Sequence, residues 1–197
     1  MKSSIGKAVT GTLLSLLVAC TAETPPAVSQ SAQADIDQID LIIDGRYVVT
    51  MDANETIIEN GAVAIDDGVI IATGASDAIN SEYSAAQTLS GENRVVMPGL
   101  VNGHQHAAMT ILRGVADDLA LMDWLNNYIF PAEVEFVDAE FVRIGTELSC
   151  WEMIRGGTTT FVDMYYYPDV IAEVIDSCGM RALISATVID QRSPDAE

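Results

Sequence analysis

Both histidines of the chain lie one residue apart, at positions 104 and 106 of the stretch VVMPGLVNGHQHAAMTILRG, residues 95–114. Residues two apart in a strand project from the same face, so His104 and His106 would point together while Gln105 faces away. Two imidazoles are half of a typical zinc ligand set, and zinc held by neutral nitrogens lowers the pKa of bound water to about 7. A bare His-x-His pair also occurs on exposed surfaces without binding metal, so the pair alone leaves both interpretations open.

The elements around the pair predict an α/β fold. Three stretches rich in apolar and β-branched residues predict strands, at 95–103, 158–166 and 180–190. A first helix is predicted over about 118–129, closed by Pro131. A second is predicted over 138–155, with Asp138 as N-cap and Gly156–Gly157 at its end. A third is capped by Asp169, runs through Cys178 and stops at Gly179. Alternating strands and helices predict a parallel sheet or barrel, whose chemistry lies at the carboxyl ends of its strands.

The segment before this α/β part has a different texture. Residues 39–92 contain short runs rich in Val and Ile, such as IDLIIDGRYVVTMD and IIENGAVAIDDGVIIATG. Asp-Gly and Asn-Gly pairs interrupt these runs, and such pairs favour tight turns. We predict a small β-rich unit over 39–92, followed by three β/α units over 93–197.

The amino-terminal residues are typical of an exported lipoprotein. Residues 1–20 combine an early basic start with an apolar run too short for a stable membrane anchor, as in a signal peptide. The end of this segment, Leu17-Val18-Ala19-Cys20, resembles a bacterial lipobox, in which the Cys becomes lipid-modified; an ordinary secretory signal with a chance Cys is the alternative. Residues 21–38 predict a flexible tether. We expect a protein anchored by lipid at Cys20 on the periplasmic face, in the outer membrane.

The composition excludes some partners and permits a core. Nine Lys and Arg residues oppose 29 Asp and Glu residues, giving a formal net charge of −20. A phosphate backbone would be repelled by this charge, so we expect no nucleic acid partner. With 49% apolar residues, the chain can bury a sizeable core.

Three longer motifs resemble one known family. The stretches VVMPGLVNGHQHAAMTILRGVADDL, DWLNNYIFPAE and EMIRGGTTTFVDMYYYP closely resemble the amidohydrolase superfamily, in particular its methylthioadenosine and S-adenosylhomocysteine deaminases and its chlorohydrolase-like enzymes. The resemblance implies a (β/α)8 barrel joined to a small β-sandwich, with one divalent metal, usually zinc. It makes His104 and His106 the first two metal ligands and places Glu133 where the deaminases bind ribose hydroxyls. Gln105 departs from the Thr that the family commonly has between the histidines.

The family's activity is hydrolysis of small molecules, and two function classes follow for this chain. The first is a metal-dependent deaminase of an aminated heterocycle, with chlorohydrolase-like or other cyclic-amidine hydrolysis as the alternative. The second is a non-catalytic lipoprotein that keeps only the start of the fold.

The ligand set of the resemblance is incomplete in this sequence. A catalytic zinc needs about three protein ligands and an acid–base partner, and the family takes the others from later strands. We therefore expect the N-terminal part of a longer enzyme, inactive alone, with its remaining ligands beyond residue 197. Asp163 is a possible substitute ligand, although a turn or helix-capping role is favoured. Cys150 and Cys178 are expected to be buried thiols, and an exported chain also permits a disulfide between them.

Several other residues have two interpretations. Glu133 either binds substrate or begins a solvated stretch with Glu135. Trp124 is expected to pack a helix onto the barrel rather than line a pocket. Arg113 and Arg155 are scarce positive charges in an acidic chain and are expected to pair with neighbouring carboxylates. Tyr165, Tyr166 and Tyr167 either border the pocket mouth or only cover the end of the sheet.

Overall fold

The computed structural model of the protein describes residues 37–188 and 193–195. The predicted signal peptide 1–20, its Cys20 and most of the predicted tether lie outside the described residues. The first strand begins at Asp37, so the prediction that the tether extends to residue 38 is wrong for its last two residues. Within the described ranges, no helix has the length and apolar character needed to cross a membrane.

The amino-terminal part of the described chain forms a five-stranded sheet. The elements are β1 Asp37–Val49, β2 Ile57–Asp66, β3 Val69–Ala75, α1 Ser76–Glu82, β4 Tyr83–Leu89 and β5 Val95–Val96. The strand order is β3-β2-β1-β4, with β5 also paired to β1. Strand β2 runs antiparallel to both β1 and β3, whereas β4 and β5 run parallel to β1. Ile39, Ile42 and Ile79 are the large side chains of the buried core of this sheet.

Of the three Asp-Gly and Asn-Gly pairs in this sheet, only one forms a turn. Asp67–Gly68 joins β2 to β3 with φ angles of 48° and 73°, as a two-residue hairpin requires. The expectation of breaks at Asp44–Gly45 and Asn60–Gly61 is wrong, because both pairs lie inside strands. A Cβ on Gly45 would stand 2.7 Å from Val96, so this glycine lets β5 approach β1 closely.

The second sheet has three parallel strands, as the alternating pattern predicts. The strands and the two long helices are β6 Leu100–Gln105, α4 Ala139–Gly156, β7 Thr158–Tyr165, α5 Pro168–Cys178 and β8 Arg181–Ala186. The strand order is β6-β7-β8. The first predicted strand, 95–103, is divided: Val95–Val96 joins the first sheet, and β6 starts beyond Pro98, which has no N–H to donate to a ladder. Helices α4 and α5 pack together, and Phe161, Val142 and Ile171 are fully buried between these elements.

The connection from β6 to α4 contains a short 3-10 helix and one longer helical run. The prediction that Pro131 closes a helix is wrong, because the run continues through it. The Phe130 N–H bonds to the carbonyl of Leu125, five residues back, in a widened π-helical turn. Pro131 then lies in the first turn of α3, a position that tolerates its missing N–H. The elements are the 3-10 helix Ala107–Leu112, α2 Leu121–Trp124, the π-helical turn Leu125–Ile129 and α3 Phe130–Phe136.

The ends of the two long helices follow their sequence signals closely. The Asp138 side chain accepts a hydrogen bond of 2.8 Å from Phe141 N–H, and Gly157 ends α4 at φ 83°. Gly179 likewise ends α5. Asp169 is not the cap of α5, because the helix begins earlier, at Pro168, whose fixed φ suits a first helical position.

Candidate active site

The histidine pair lies at the carboxyl end of β6, as predicted. His104 is the second-last residue of the strand. His106 directly follows the strand and precedes the 3-10 helix. Their ring centroids are 5.2 Å apart and the rings are nearly perpendicular, at 79°. His104 is exposed and His106 half-buried, so both imidazoles are accessible from the same end of the sheet.

A backbone carbonyl determines which nitrogen of His106 is available. His106 Nδ1 lies 2.7 Å from the carbonyl oxygen of Met164, on the neighbouring strand β7. Because a carbonyl only accepts hydrogen bonds, Nδ1 carries the proton in this contact. Nε2 of the neutral ring is then unprotonated and free to bind a metal ion.

The residue between the histidines faces the other way, as predicted. The Gln105 amide donates to the hydroxyl of Ser149 on α4, and its carbonyl accepts from the Asn102 amide. Asn102 Oδ1 in turn accepts from the backbone N–H of His104 at 3.2 Å. A continuous set of side-chain bonds therefore fixes the end of β6 against α4.

Asp163 lies close to the pair but faces the backbone. It is fully buried in β7, and the N–H of Ala107 approaches both of its carboxylate oxygens, at 3.2 and 3.3 Å. The Met164 N–H also donates to it, at 2.9 Å. Burial raises the pKa of Asp163, and these backbone hydrogen bonds partly oppose the shift. The capping interpretation is confirmed in a modified form, because Asp163 caps the 3-10 helix from a different strand.

The two imidazoles fit part of a zinc ligand set. Imidazole is a common zinc ligand, and His106 offers an unprotonated nitrogen. In the described part of the chain, no three His, Cys, Asp or Glu side chains are grouped to hold a metal ion, so Asp163 does not complete the site. Cys150 and Cys178 do not complete it either: both thiols are free, Cys150 is buried, and burial together with the nearby Cys178 thiol raises its pKa to about 12.

A cavity of about 180 Å³ opens beside His106. Its walls are mostly apolar, with Trp124, Phe130 and Met164 among the lining side chains. The expectation that Trp124 packs a helix rather than lining a pocket is therefore wrong. The sequence gives no direct signal for this position, because the side-chain direction depends on the π-helical turn that follows Trp124.

Glu133 supplies a carboxylate in the same cavity. Only 4% of the residue is exposed, so the alternative of a solvated stretch is wrong. The Tyr165 hydroxyl donates to Oε1 at 2.9 Å and the Tyr166 hydroxyl to Oε2 at 3.3 Å. Burial raises the pKa of Glu133, and the two phenols partly oppose this shift. The cavity thus presents one half-buried imidazole and one buried, oriented carboxyl group.

The two tyrosines border the cavity, as one of their interpretations proposed. Burial raises the pKa of both phenols, to about 12 for Tyr166, so both remain hydrogen-bond donors at neutral pH. Tyr167 differs, because its hydroxyl donates to the carbonyl of Pro194.

The two arginines singled out in the sequence behave differently. Arg113 forms a bidentate pair with Glu152 on α4, as expected. Arg155 instead lies over the Trp151 ring, 5.0 Å from its centroid, in a cation–π contact. Neither arginine belongs to the cavity beside His106.

The three parallel strands with helices packed on them, and the paired histidines at one strand end, form an α/β unit of the type found in TIM-barrel hydrolases. The chain belongs to the amidohydrolase family, whose sequence profile matches residues 95–197. This match confirms the resemblance found in the sequence motifs.

The relatives found by sequence have deaminase names. The chain is 44% identical over 162 residues to a 5-methylthioadenosine/S-adenosylhomocysteine deaminase of Syntrophus aciditrophicus, covering 82% of this chain and 37% of the relative. It is 46% identical over 151 residues to a 5'-deoxyadenosine deaminase of Methanosarcina barkeri, covering 77% of this chain and 34% of the relative. The chain thus spans about a third of the length of these relatives.

Solved structures agree on the fold. An adenosine deaminase from Xanthomonas campestris with bound zinc superimposes with a TM-score of 0.79 at 42% identity, over 82% of this chain and 37% of that one. The atrazine chlorohydrolase TrzN from Arthrobacter aurescens, complexed with zinc, gives a TM-score of 0.67 at 23% identity, over 74% of this chain and 35% of that one. The second likeness supports the fold alone.

Proposed function

We propose that this chain is the N-terminal part of a zinc-dependent amidohydrolase that removes an amino group from a heterocycle of the adenosine type, such as methylthioadenosine or S-adenosylhomocysteine. The observation that carries the proposal is that His106 and the buried Glu133 line one apolar cavity. Relatives named as deaminases of 5-methylthioadenosine, S-adenosylhomocysteine and 5'-deoxyadenosine support the substrate class.

The residues of this chain would divide the work by position. His104 and His106 would hold one zinc ion, which would supply the Lewis acidity that lowers the pKa of bound water and makes it a nucleophile toward the carbon that carries the amino group. Glu133, held by Tyr165 and Tyr166, would accept hydrogen bonds from substrate hydroxyls. The apolar lining, including Trp124, would exclude water from a planar ring.

Further parts of the fold belong to the same proposal. The three strands β6, β7 and β8 would be the first three of an eight-stranded barrel, and the first sheet would be part of a β-sandwich joined to it. The remaining zinc ligands would come from later strands, so residues 1–197 alone would deaminate nothing.

The test is ammonia release by the intact protein, supplied with methylthioadenosine, S-adenosylhomocysteine or 5'-deoxyadenosine. We expect Glu133→Gln to raise KM for these nucleosides at least about tenfold, because it removes one charged hydrogen-bond acceptor. The matched control is Glu135→Gln at an exposed position, which should leave KM unchanged. Chloride release from a chlorotriazine without ammonia release would favour the chlorohydrolase-like alternative, and no hydrolysis with zinc bound would favour a non-catalytic lipoprotein.

We also propose export and lipid anchoring at Cys20 on the periplasmic face of the outer membrane. The support is the sequence of residues 1–20. In cell fractionation the protein should sediment with outer membranes, and Cys20→Ala should release it. A Cys20→Ala protein that is cut at the same point and stays membrane-bound would contradict the proposal.

A further inference from the structure

Two consecutive residues of β7 hold two consecutive residues of the histidine loop. The Met164 carbonyl accepts from the His106 ring, and the Asp163 carboxylate accepts from the backbone N–H of Ala107. The parallel register places Asp163 opposite Gln105, the last residue of β6. The Asp163 carboxylate therefore reaches Ala107, just past the end of that strand. The ring and the backbone of the loop are therefore fixed from the same strand.

Asp163 connects these two contacts to each other. Its Oδ1 accepts from Ala107 N–H and also from the N–H of Met164, the residue whose carbonyl orients the His106 ring. One carboxylate thus constrains the backbone on both sides of the imidazole contact. Removing this carboxylate would leave the backbone N–H groups of both Ala107 and Met164 without their acceptor.

Within residues 37–188 and 193–195, this carboxylate has no hydrogen-bond partner other than the Ala107 and Met164 amides. Asp163, Ala107 and Ala108 are all fully buried. Helix α4 closes the space from outside, since a Cβ on Gly145 would stand 2.3 Å from the Ala108 carbonyl oxygen. Among the described residues, Asp163 forms no ion pair and joins no group of three metal-binding side chains. A buried carboxylate is costly unless it is fully hydrogen-bonded, so its retention here requires a local reason.

We propose that Asp163 is a positioning residue of the metal site: by binding the Ala107 and Met164 amides, it holds His106 as the Nδ1–H tautomer with Nε2 free for the metal ion. The inference rests on the metal site of the proposed function. Partners that orient a ligating histidine typically contribute 10–100-fold to metal affinity, about 1.4–2.7 kcal/mol.

The direct test is the protonation pattern of the imidazole nitrogens in the metal-free protein. In long-range ¹H–¹⁵N NMR spectra of the intact protein, the variants His104→Gln and His106→Gln assign the signals of these two rings. In these spectra His106 should be a single Nδ1–H tautomer, because its Nδ1 faces the Met164 carbonyl. His104, whose ring is exposed, should show averaged nitrogens.

Variants at position 163 separate positioning from folding. Asp163→Leu removes every acceptor, and His106 should then become a mixture of tautomers while zinc affinity falls 10–100-fold. Asp163→Asn keeps one acceptor oxygen and nearly the same volume, so it should give a smaller loss and preserve the fold even if the Leu variant unfolds. Asp169→Asn, the same exchange at an exposed position of α5, is the matched control and should change neither measurement.

The outcomes distinguish this inference from the proposed function. A His106 that stays a single Nδ1–H tautomer in a folded Asp163→Asn protein, with zinc affinity equal to that of the Asp169→Asn control, would overturn the positioning role. A tautomer shift together with weaker zinc binding would support it. A wild-type protein that shows the expected tautomer but binds no zinc would overturn the metal site, and with it the role of Asp163 toward the metal.

Discussion

Removing the hydroxyl of Tyr165 tests whether Glu133 is held as an oriented carboxylate. Tyr165→Phe deletes the donor to Oε1 at 2.9 Å and leaves only the longer bond from Tyr166, at 3.3 Å. Glu133 is 4% exposed, so water does not readily replace the lost donor. A hydrogen bond to a charged group contributes about 1.5–3 kcal/mol, and one to a neutral group about 0.5–1.5 kcal/mol. We expect a loss of about 2 kcal/mol in the free energy of unfolding at pH 8.

The loss should depend on pH with a definite sign. Burial raises the pKa of Glu133 above its ordinary value of 4.5, so its contribution to stability is complete below that value and declines as pH rises through the raised pKa. The Tyr165 bond lowers the pKa of Glu133, and its removal raises that pKa further. The stability difference between Tyr165→Phe and wild type should therefore be smaller at pH 5 than at pH 8.

The measurement is urea unfolding of the intact protein at both pH values, followed by tryptophan fluorescence. Tyr128→Phe is the matched control, because Tyr128 is 44% exposed and its substitution should change stability by less than about 0.5 kcal/mol. A Tyr165→Phe protein as stable as Tyr128→Phe at pH 8, or a destabilisation that shrinks as pH rises, would show that Tyr165 does not hold Glu133 as a carboxylate.

Two further predictions concern helix packing and thiol chemistry. Gly145→Ala should destabilise the protein by about 1–3 kcal/mol, because its Cβ would overlap a buried backbone carbonyl. Gly156→Ala, in open space on the same helix, should stabilise the protein by about 0.5–1 kcal/mol. Thermal denaturation of both variants checks that the two effects have opposite signs. Cys178 should react with maleimide in the native protein while Cys150, buried and with its pKa raised to about 12, reacts only after unfolding. Peptide mapping by mass spectrometry reports both thiols, and equal native labelling rates would contradict the packing of α4 on α5.

Sequence signals predicted those features that depend on a few neighbouring residues. Asp138 and Gly157 determine the ends of α4 because a cap and a left-handed residue act within one turn. The pairs Asp44–Gly45 and Asp67–Gly68 are identical dipeptides, yet only the second is a turn. Asp44–Gly45 lies inside β1 instead, where it pairs with Ala62 and Gly61 of β2 and Val96 packs beside Gly45, and no local pattern reveals these contacts.

In the candidate site, too, the sequence predicted the features set by neighbouring residues and not those set by packing. The spacing of His104 and His106 indicated their common direction and the outward position of Gln105. The burial of Glu133 and the partner of His106 were not predictable by spacing, because they depend on how α3 and β7 pack. A backbone carbonyl such as that of Met164 leaves no mark on residue type, so only the structure identifies it as the group that orients the ring.

The π-helical turn Leu125–Ile129 also bears on how the chain tolerates changes in length. Trp124 and Glu133 are nine residues apart, and in an uninterrupted α-helix, at about 100° per residue, they would point in nearly opposite directions. Both line the same cavity, because the widened turn absorbs one residue of winding. Deleting Asn126, an exposed residue of that turn, would leave Trp124 and Glu133 eight residues apart, about 80° around an α-helix, so both side chains would still face the cavity. Over evolution, the turn can therefore lose that one residue without rotating Trp124 and Glu133 away from each other.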